Sequence, residues 1–168
     1  MNYIKITKHD IANGTGVRVV LWVSGCSCYC KGCHNPQTWD KQAGQTFTAD
    51  TMQEIMKALD HSYIAGLTLS GGHPLESYNI NTISTIVKTV KKHFLDKTIW
   101  LYTGYLFENI IKNDKIRNGI LPYVDVVVDG GFEIENKDIS LDWCGSTNQR
   151  VIDVKSTLCN GKIILFRR

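Results

Sequence analysis

The chain has 168 residues, 43% of them hydrophobic, with six cysteines and a formal net charge of +3. That length suits one domain with a real core, since domains of roughly 100 to 200 residues are the usual size, and two would be a squeeze. No apolar run approaches the ~18 residues that span a bilayer, and Met1-Asn2-Tyr3-Ile4-Lys5 lacks the basic-then-apolar layout of a secretory signal, so a soluble, cytoplasmic protein without a membrane partner is expected. Six cysteines in an unexported chain argue against a disulfide framework, and their clustering argues for a metal or redox cofactor. From Val151 to Arg168 the chain carries Lys155, Lys162, Arg167 and Arg168 against Asp153. This reads as solvated charge beside apolar strands, not as a surface for nucleic acid.

Val17 to Val23 is a β-branched run broken only by Arg18 and bounded by Gly16 and Ser24-Gly25, the pattern of a buried strand. Thr48 can cap a helix in which Met52, Ile55, Met56 and Leu59 form one apolar stripe. Ile64 to Leu69 reads as a second strand, stopped by Ser70-Gly71-Gly72-His73-Pro74. Ile80, Ile83, Val87, Val90 and Phe94 then recur at helical spacing, with Lys88, Lys91 and Lys92 on the other faces. Thr98 to Thr103 gives a third strand ending at Gly104-Tyr105, and Leu106, Phe107, Ile110 and Ile111 a third helix closing near Asn118-Gly119. Val124 to Val128 is a fourth strand before Asp129-Gly130-Gly131. Glu133 to Ser146 is polar and irregular, and further strands are expected near Gln149 to Val154 and Lys162 to Phe166.

Strand-helix alternation at this rhythm implies right-handed crossovers and a mainly parallel sheet. The expected fold class is α/β. A complete eight-unit barrel usually takes ~250 residues, so residues 1–168 would form a single domain built as a partial, open βα barrel. In such sheets ligands sit beyond the carboxyl ends of the strands, where the cysteine loop and the three glycine-bearing turns fall.

Cys26, Cys30 and Cys33 are spaced C-x3-C-x2-C directly after the first strand. Three thiolates can hold a cubic iron-sulfur cluster through three of its four irons, leaving the fourth open to bind and reduce a small molecule. Zinc is the competing metal, with Cys28 as a fourth sulfur, but Cys26, Cys28 and Cys30 at single-residue intervals crowd a tetrahedral site. The downstream glycine loops favour the cluster, with Cys28 a bystander thiol. Read alone, His34 and His73 are loop and turn histidines, Trp39 is a packing aromatic, and Cys144 and Cys159 are free thiols.

The loop resembles the signature of radical S-adenosylmethionine enzymes, and Gly71-Gly72-His73-Pro74 stands in the place of their Gly-Gly-Glu motif. Asn13-Gly14-Thr15-Gly16-Val17-Arg18, Val23-Ser24-Gly25-Cys26, Gly32-Cys33-His34-Asn35, Leu69-Ser70-Gly71-Gly72, Tyr102-Thr103-Gly104-Tyr105, Val128-Asp129-Gly130 and Gly145-Ser146-Thr147-Asn148-Gln149 together resemble the activating enzymes of anaerobic (class III) ribonucleotide reductases. Residues after about 154 lie outside this resemblance. It implies an oxidoreductase with a [4Fe-4S] cluster on Cys26, Cys30 and Cys33 and S-adenosylmethionine chelating the open iron. Reductive cleavage of the sulfonium would then yield a 5'-deoxyadenosyl radical that takes hydrogen from a glycine of the large catalytic subunit of the reductase, leaving a glycyl radical. The resemblance further implies that Gly32, Cys33 and His34 approach the adenine end, that Gly71, Gly72 and His73 hold the methionine end, and that Tyr102, Thr103, Gly104 and Asp129 line the ribose side. His73 departs from the family pattern, which has an acidic residue there. A neutral imidazole could accept a hydrogen bond, whereas a protonated one would repel the amino group. A flavodoxin-like reductant is implied as electron donor, and a homodimer or a heterotetramer with the reductase as assembly. Two alternatives stand beside this reading: a radical S-adenosylmethionine enzyme acting on a small molecule, and a non-catalytic iron-sulfur electron carrier or zinc-stabilised binding module.

Overall fold

The β-branched run at Val17–Val23 is the second strand, β2, and its neighbours explain its composition. The computed structural model describes residues 1–167. Along the chain follow β1 (Asn2–Asp10), β2 (Val17–Val23), β3 (Gln45–Thr46), α1 (Ala49–Leu59), β4 (Ile64–Gly71), α2 (Ile80–His93), β5 (Thr98–Tyr102), α3 (Phe107–Ile110), α4 (Asp114–Gly119), β6 (Val126–Asp129), β7 (Arg150–Asp153) and α5 (Val154–Asn160). The sheet order is β3-β1-β2-β4-β5-β6-β7. The four central strands β2, β4, β5 and β6 run parallel. β1, β3 and β7 were not expected as antiparallel partners, yet β1 pairs antiparallel with β2, β3 with β1, and β7 with β6. The fold is therefore α/β with a mixed, mostly parallel sheet.

Helices α1 and α2 cover one face. Thr48 caps α1, its hydroxyl and that of Thr51 bonding reciprocally to the two backbone amides, which satisfies donors that the first turn leaves open. Ile55 and Leu59 of α1 and Ile83, Ile86, Val87 and Val90 of α2 pack on Val19, Leu21, Leu67, Leu69, Ile99 and Leu101 to form the main core. The opposite face is lined by a second cluster, Trp100, Val126 and Val128, against which Trp143, Cys144, Val151 and Phe166 pack. Also buried there is Arg18, whose guanidinium bonds Thr68 Oγ1 at 2.7 Å, Leu67 O at 2.8 Å and Thr98 O at 2.9 Å, and lies 5.5 Å from the Trp100 ring. It ties β2, β4 and β5 together at their starting ends, and burial pulls its pKa down to about 10.

Two expectations change and one helix is new. The helix expected to run to Gly119 is split into α3 and α4, because Asn113 accepts hydrogen bonds from the amides of Lys115 and Ile116 and starts a new helix. Residues 154–160 form α5, capped by Asp153 and ended by Gly161 in the left-handed conformation. The strand expected at Lys162 to Phe166 reduces to an isolated bridge between Ile152 and Leu165. Among the described residues no helix is long and apolar enough to cross a membrane.

Candidate functional site

Parallel register decides where the polar chemistry collects. Val23, which ends β2, is paired with Gly71, which ends β4, so the cysteine loop and the Gly-Gly loop leave the sheet side by side. Backbone bonds join them: the Gly72 amide donates to Val23 O at 2.8 Å and the His73 amide to Gly25 O at 2.7 Å. Gly25 and Gly71 have φ of +90° and +105°, a region that side chains disfavour. A Cβ on Gly71 would also lie 2.6 Å from Val23 N.

Cys26, Cys28, Cys30 and Cys33 line a cleft of about 140 Å³, walled by Ser70, Gly71, Gly72 and His73, by Tyr102, Thr103 and Gly104, and by Gly130, Gly131 and Phe132. A second cavity of about 410 Å³ adjoins it through Cys33, Ser70, Tyr102, Phe132 and Gln149, and is closed by His34, Trp143 and Cys144. The Tyr102 hydroxyl, on the border of both, is buried without a hydrogen-bond partner among the described residues.

The residues present fit an iron-sulfur cluster. Glycines flank the sulfurs: a Cβ on Gly104 would intrude at 2.5 Å from Cys28 Sγ, and one on Gly131 would be in ordinary contact with Cys30 Sγ at 3.6 Å. The Asn35 amide donates to Cys33 Sγ at 3.4 Å, the kind of bond that stabilises a liganding thiolate. The neighbouring Cys28 thiol, by hydrogen bonding, brings Cys26 down to about 6, and the same interaction lifts Cys28. Burial pushes the Cys30 thiol up. Among the described residues no three His, Cys, Asp or Glu side chains converge as one metal ion would require.

His73 is 1% exposed, and both ring nitrogens are engaged: Nδ1 faces Glu76 Oε1 at 3.3 Å and Nε2 faces Thr103 Oγ1 at 2.7 Å. Burial lowers its pKa, against the pull of Glu76, so the ring is neutral at neutral pH. The assignment that satisfies every group has Nδ1–H donating to the carboxylate and the Thr103 hydroxyl donating to Nε2, while Thr103 Oγ1 accepts the Tyr105 amide. Asp129, expected on the ribose side, is turned elsewhere. Its fully buried carboxylate accepts from the Phe107 amide and from Arg150, because α3 starts directly above it.

A family model described as a 4Fe-4S single cluster domain matches residues 12–152. Over 151 residues the chain is 47% identical to the anaerobic ribonucleoside-triphosphate reductase-activating protein of Enterobacteria phage T4, covering 90% of this chain and 93% of that one. The proteins of the same name from Haemophilus influenzae and Escherichia coli K12 are 44% and 38% identical, with 89% and 90% of this chain and 96% and 97% of theirs covered. The chain belongs to the family of anaerobic ribonucleoside-triphosphate reductase-activating proteins.

In this member of the activating-protein family, the local motifs led directly to one cleft: Gly71, Gly72, His73, Cys26, Cys30 and Cys33 all border it. His34 stands in the wall of the adjoining cavity, its ring 5.4 Å from that of Phe132, and Gly32 lies against Ile134. Glu76 and Phe132 escaped the sequence reading, which named Cys144 as a free thiol and Gln149 as the end of a motif without placing either in the site. All four reach it from turns whose approach depends on tertiary packing, and Glu76 carried a local signal, its place three residues after His73.

Proposed function

We propose that this protein activates an anaerobic ribonucleotide reductase by placing a glycyl radical on its large catalytic subunit. Cys26, Cys30 and Cys33 would hold the [4Fe-4S] cluster, and S-adenosylmethionine would lie across the cleft and the adjoining cavity, the sheet serving as an open βα barrel of the radical S-adenosylmethionine type. When bound, cluster and cofactor supply one-electron reductive cleavage of the sulfonium and a 5'-deoxyadenosyl radical. The observation that carries this reading is the meeting of the three cysteines and the Gly-Gly loop in one cleft, in a chain whose relatives are named as reductase-activating proteins.

The rest of the work falls to the chain. The amides of Gly72 and His73 are committed to Val23 and Gly25, so the backbone groups this loop can offer an ammonium are its carbonyls, which are acceptors. Neutral His73 adds no repelling charge there. Cys33 and His34 stand where the cleft opens into the larger cavity, which suits the adenine end, and Tyr102 brings to the same junction a hydroxyl without a partner among the described residues. Trp39, Tyr102 and Phe132 shield the space from water, which limits quenching of a reactive intermediate. A flavodoxin-like donor and a cytoplasmic setting complete the proposal.

Anaerobic reconstitution with iron and sulfide, followed by reduction in the presence of S-adenosylmethionine, should release 5'-deoxyadenosine and methionine. Adding the large reductase subunit should then produce a glycyl-radical resonance. Cluster assembly without 5'-deoxyadenosine would leave an electron carrier and refute the proposal. Cleavage without a glycyl radical would turn it toward a small-molecule substrate.

A further inference from the structure

A carboxylate that bonds directly to the cysteine loop comes from outside every motif. Glu76 sits in the turn between the Gly-Gly loop and α2, and its side chain is about nine-tenths buried. Oε1 accepts the Ser27 amide at 2.8 Å, the Ser27 hydroxyl at 2.6 Å and His73 Nδ1 at 3.3 Å. Ser27 separates Cys26 from Cys28, and Glu76 borders a recess shared with Cys26 and Ser27. Burial works to raise the carboxyl, but the two Ser27 bonds and His73 outweigh it and hold the group below the usual range, so it is ionised at neutral pH. Through His73 the same chain of bonds reaches Thr103 at the end of β5. One carboxylate thus links three strand-end loops.

We propose that Glu76 is a positioning residue with two separable effects: its hydrogen bonds lock the cysteine loop onto the Gly-Gly loop, and its fixed negative charge lowers the reduction potential of the cluster. The inference rests on the reading of Cys26, Cys30 and Cys33 as cluster ligands. Net charge and hydrogen bonding near a cluster set its potential. An anion beside it makes an added electron harder to place and more strongly reducing once there.

Two variants separate the effects. Glu76→Gln keeps an acceptor oxygen of the same shape and removes the charge, whereas Glu76→Ala removes both. Amide hydrogen exchange of the apo-protein reads the lock, and a dye-mediated redox titration of the reconstituted protein, followed by electron paramagnetic resonance, reads the charge. In Glu76→Ala the Ser27 amide should exchange about tenfold faster or more, the factor a lost charge-assisted bond carries. In Glu76→Gln that amide should exchange faster than in the parent by less than about tenfold while the cluster midpoint moves to a more positive potential. An unchanged midpoint in Glu76→Gln, or unchanged Ser27 exchange in Glu76→Ala, overturns the inference with the proposed function intact. A parent protein that assembles no cluster overturns both.

Discussion

Alanine at Gly72 should force apart the two loops that form the cleft. Its φ lies outside the left-handed region, so the backbone accepts alanine and the cost arises from packing alone. The added Cβ would stand 2.5 Å from Gly25 O and 2.9 Å from Thr38 O. Ordinary contact begins at 3.4 Å, so the overlaps are 3.4 − 2.5 = 0.9 Å and 3.4 − 2.9 = 0.5 Å. Both obstacles are main-chain atoms that cannot rotate away. Relief requires moving Gly25, which strains the bonds from His73 N to Gly25 O and from Gly25 N to Thr38 O, each 2.7 Å. Overpacking of this kind costs about 1–3 kcal/mol, and weakening two backbone bonds adds about 1–2 kcal/mol. With ~2–4 °C per kcal/mol for a chain of this size, the apo-protein should melt ~4–20 °C lower. Thermal unfolding followed by circular dichroism under reducing conditions measures this, and iron bound after anaerobic reconstitution should fall with it. An apo-protein that melts with the parent would refute the reasoning, because it would mean that the loops are not packed as closely as these distances require.

Alanine at Cys26, Cys30 or Cys33 should abolish retained cluster iron, whereas Cys28→Ser should keep most of it, as counted by iron and sulfide analysis of oxygen-free protein. Equal loss at Cys28 would overturn the ligand assignment. Asp125→Asn should flatten the acid limb of stability. Burial disfavours the charged carboxyl, but Lys91, the Ile99 amide and Lys155 hold it below the usual range. Its contribution is therefore complete above the unfolded value of about 3.9 and is lost as the pH falls through the lower folded value. Urea unfolding should show the variant ~2–3 kcal/mol less stable at neutral pH, with the gap closing toward pH 2. Arg18→Met should cost ~3–5 kcal/mol, since it leaves Thr68 Oγ1 and two carbonyl oxygens short of a buried donor. Cluster loading should stay at the parent level, because Arg18 acts at the far end of the strands.

The elements that the sequence made legible are those whose burial pattern is internal to the segment. β2, α1, β4, α2 and β5 each carry a run or stripe that one partner surface explains. β1 was missed because it carries Lys5, Thr7 and His9 at alternate positions and buries Tyr3 alone, and it is held instead by pairing with β2. β3 has two exposed residues and exists only against Asn2 and Tyr3. The split between α3 and α4 depended on one asparagine acting as a cap where the apolar periodicity continued past it. In the site, the cysteine and glycine motifs were readable because their spacing is local. The partners of His73 were not, since Thr103 is thirty residues away and no periodicity points from one to the other.

Trp143 and Trp100 meet edge to face at 5.0 Å, one ring in the wall of the larger cavity and the other sealed beneath it at 1% exposure. Phe166 closes against both. This pair gives the protein an intrinsic optical gauge. Ultraviolet emission from the indoles is sensitive to a neighbour that excludes water or stacks nearby, so titrating unlabelled apo-protein and following its fluorescence reports directly on whatever enters that space.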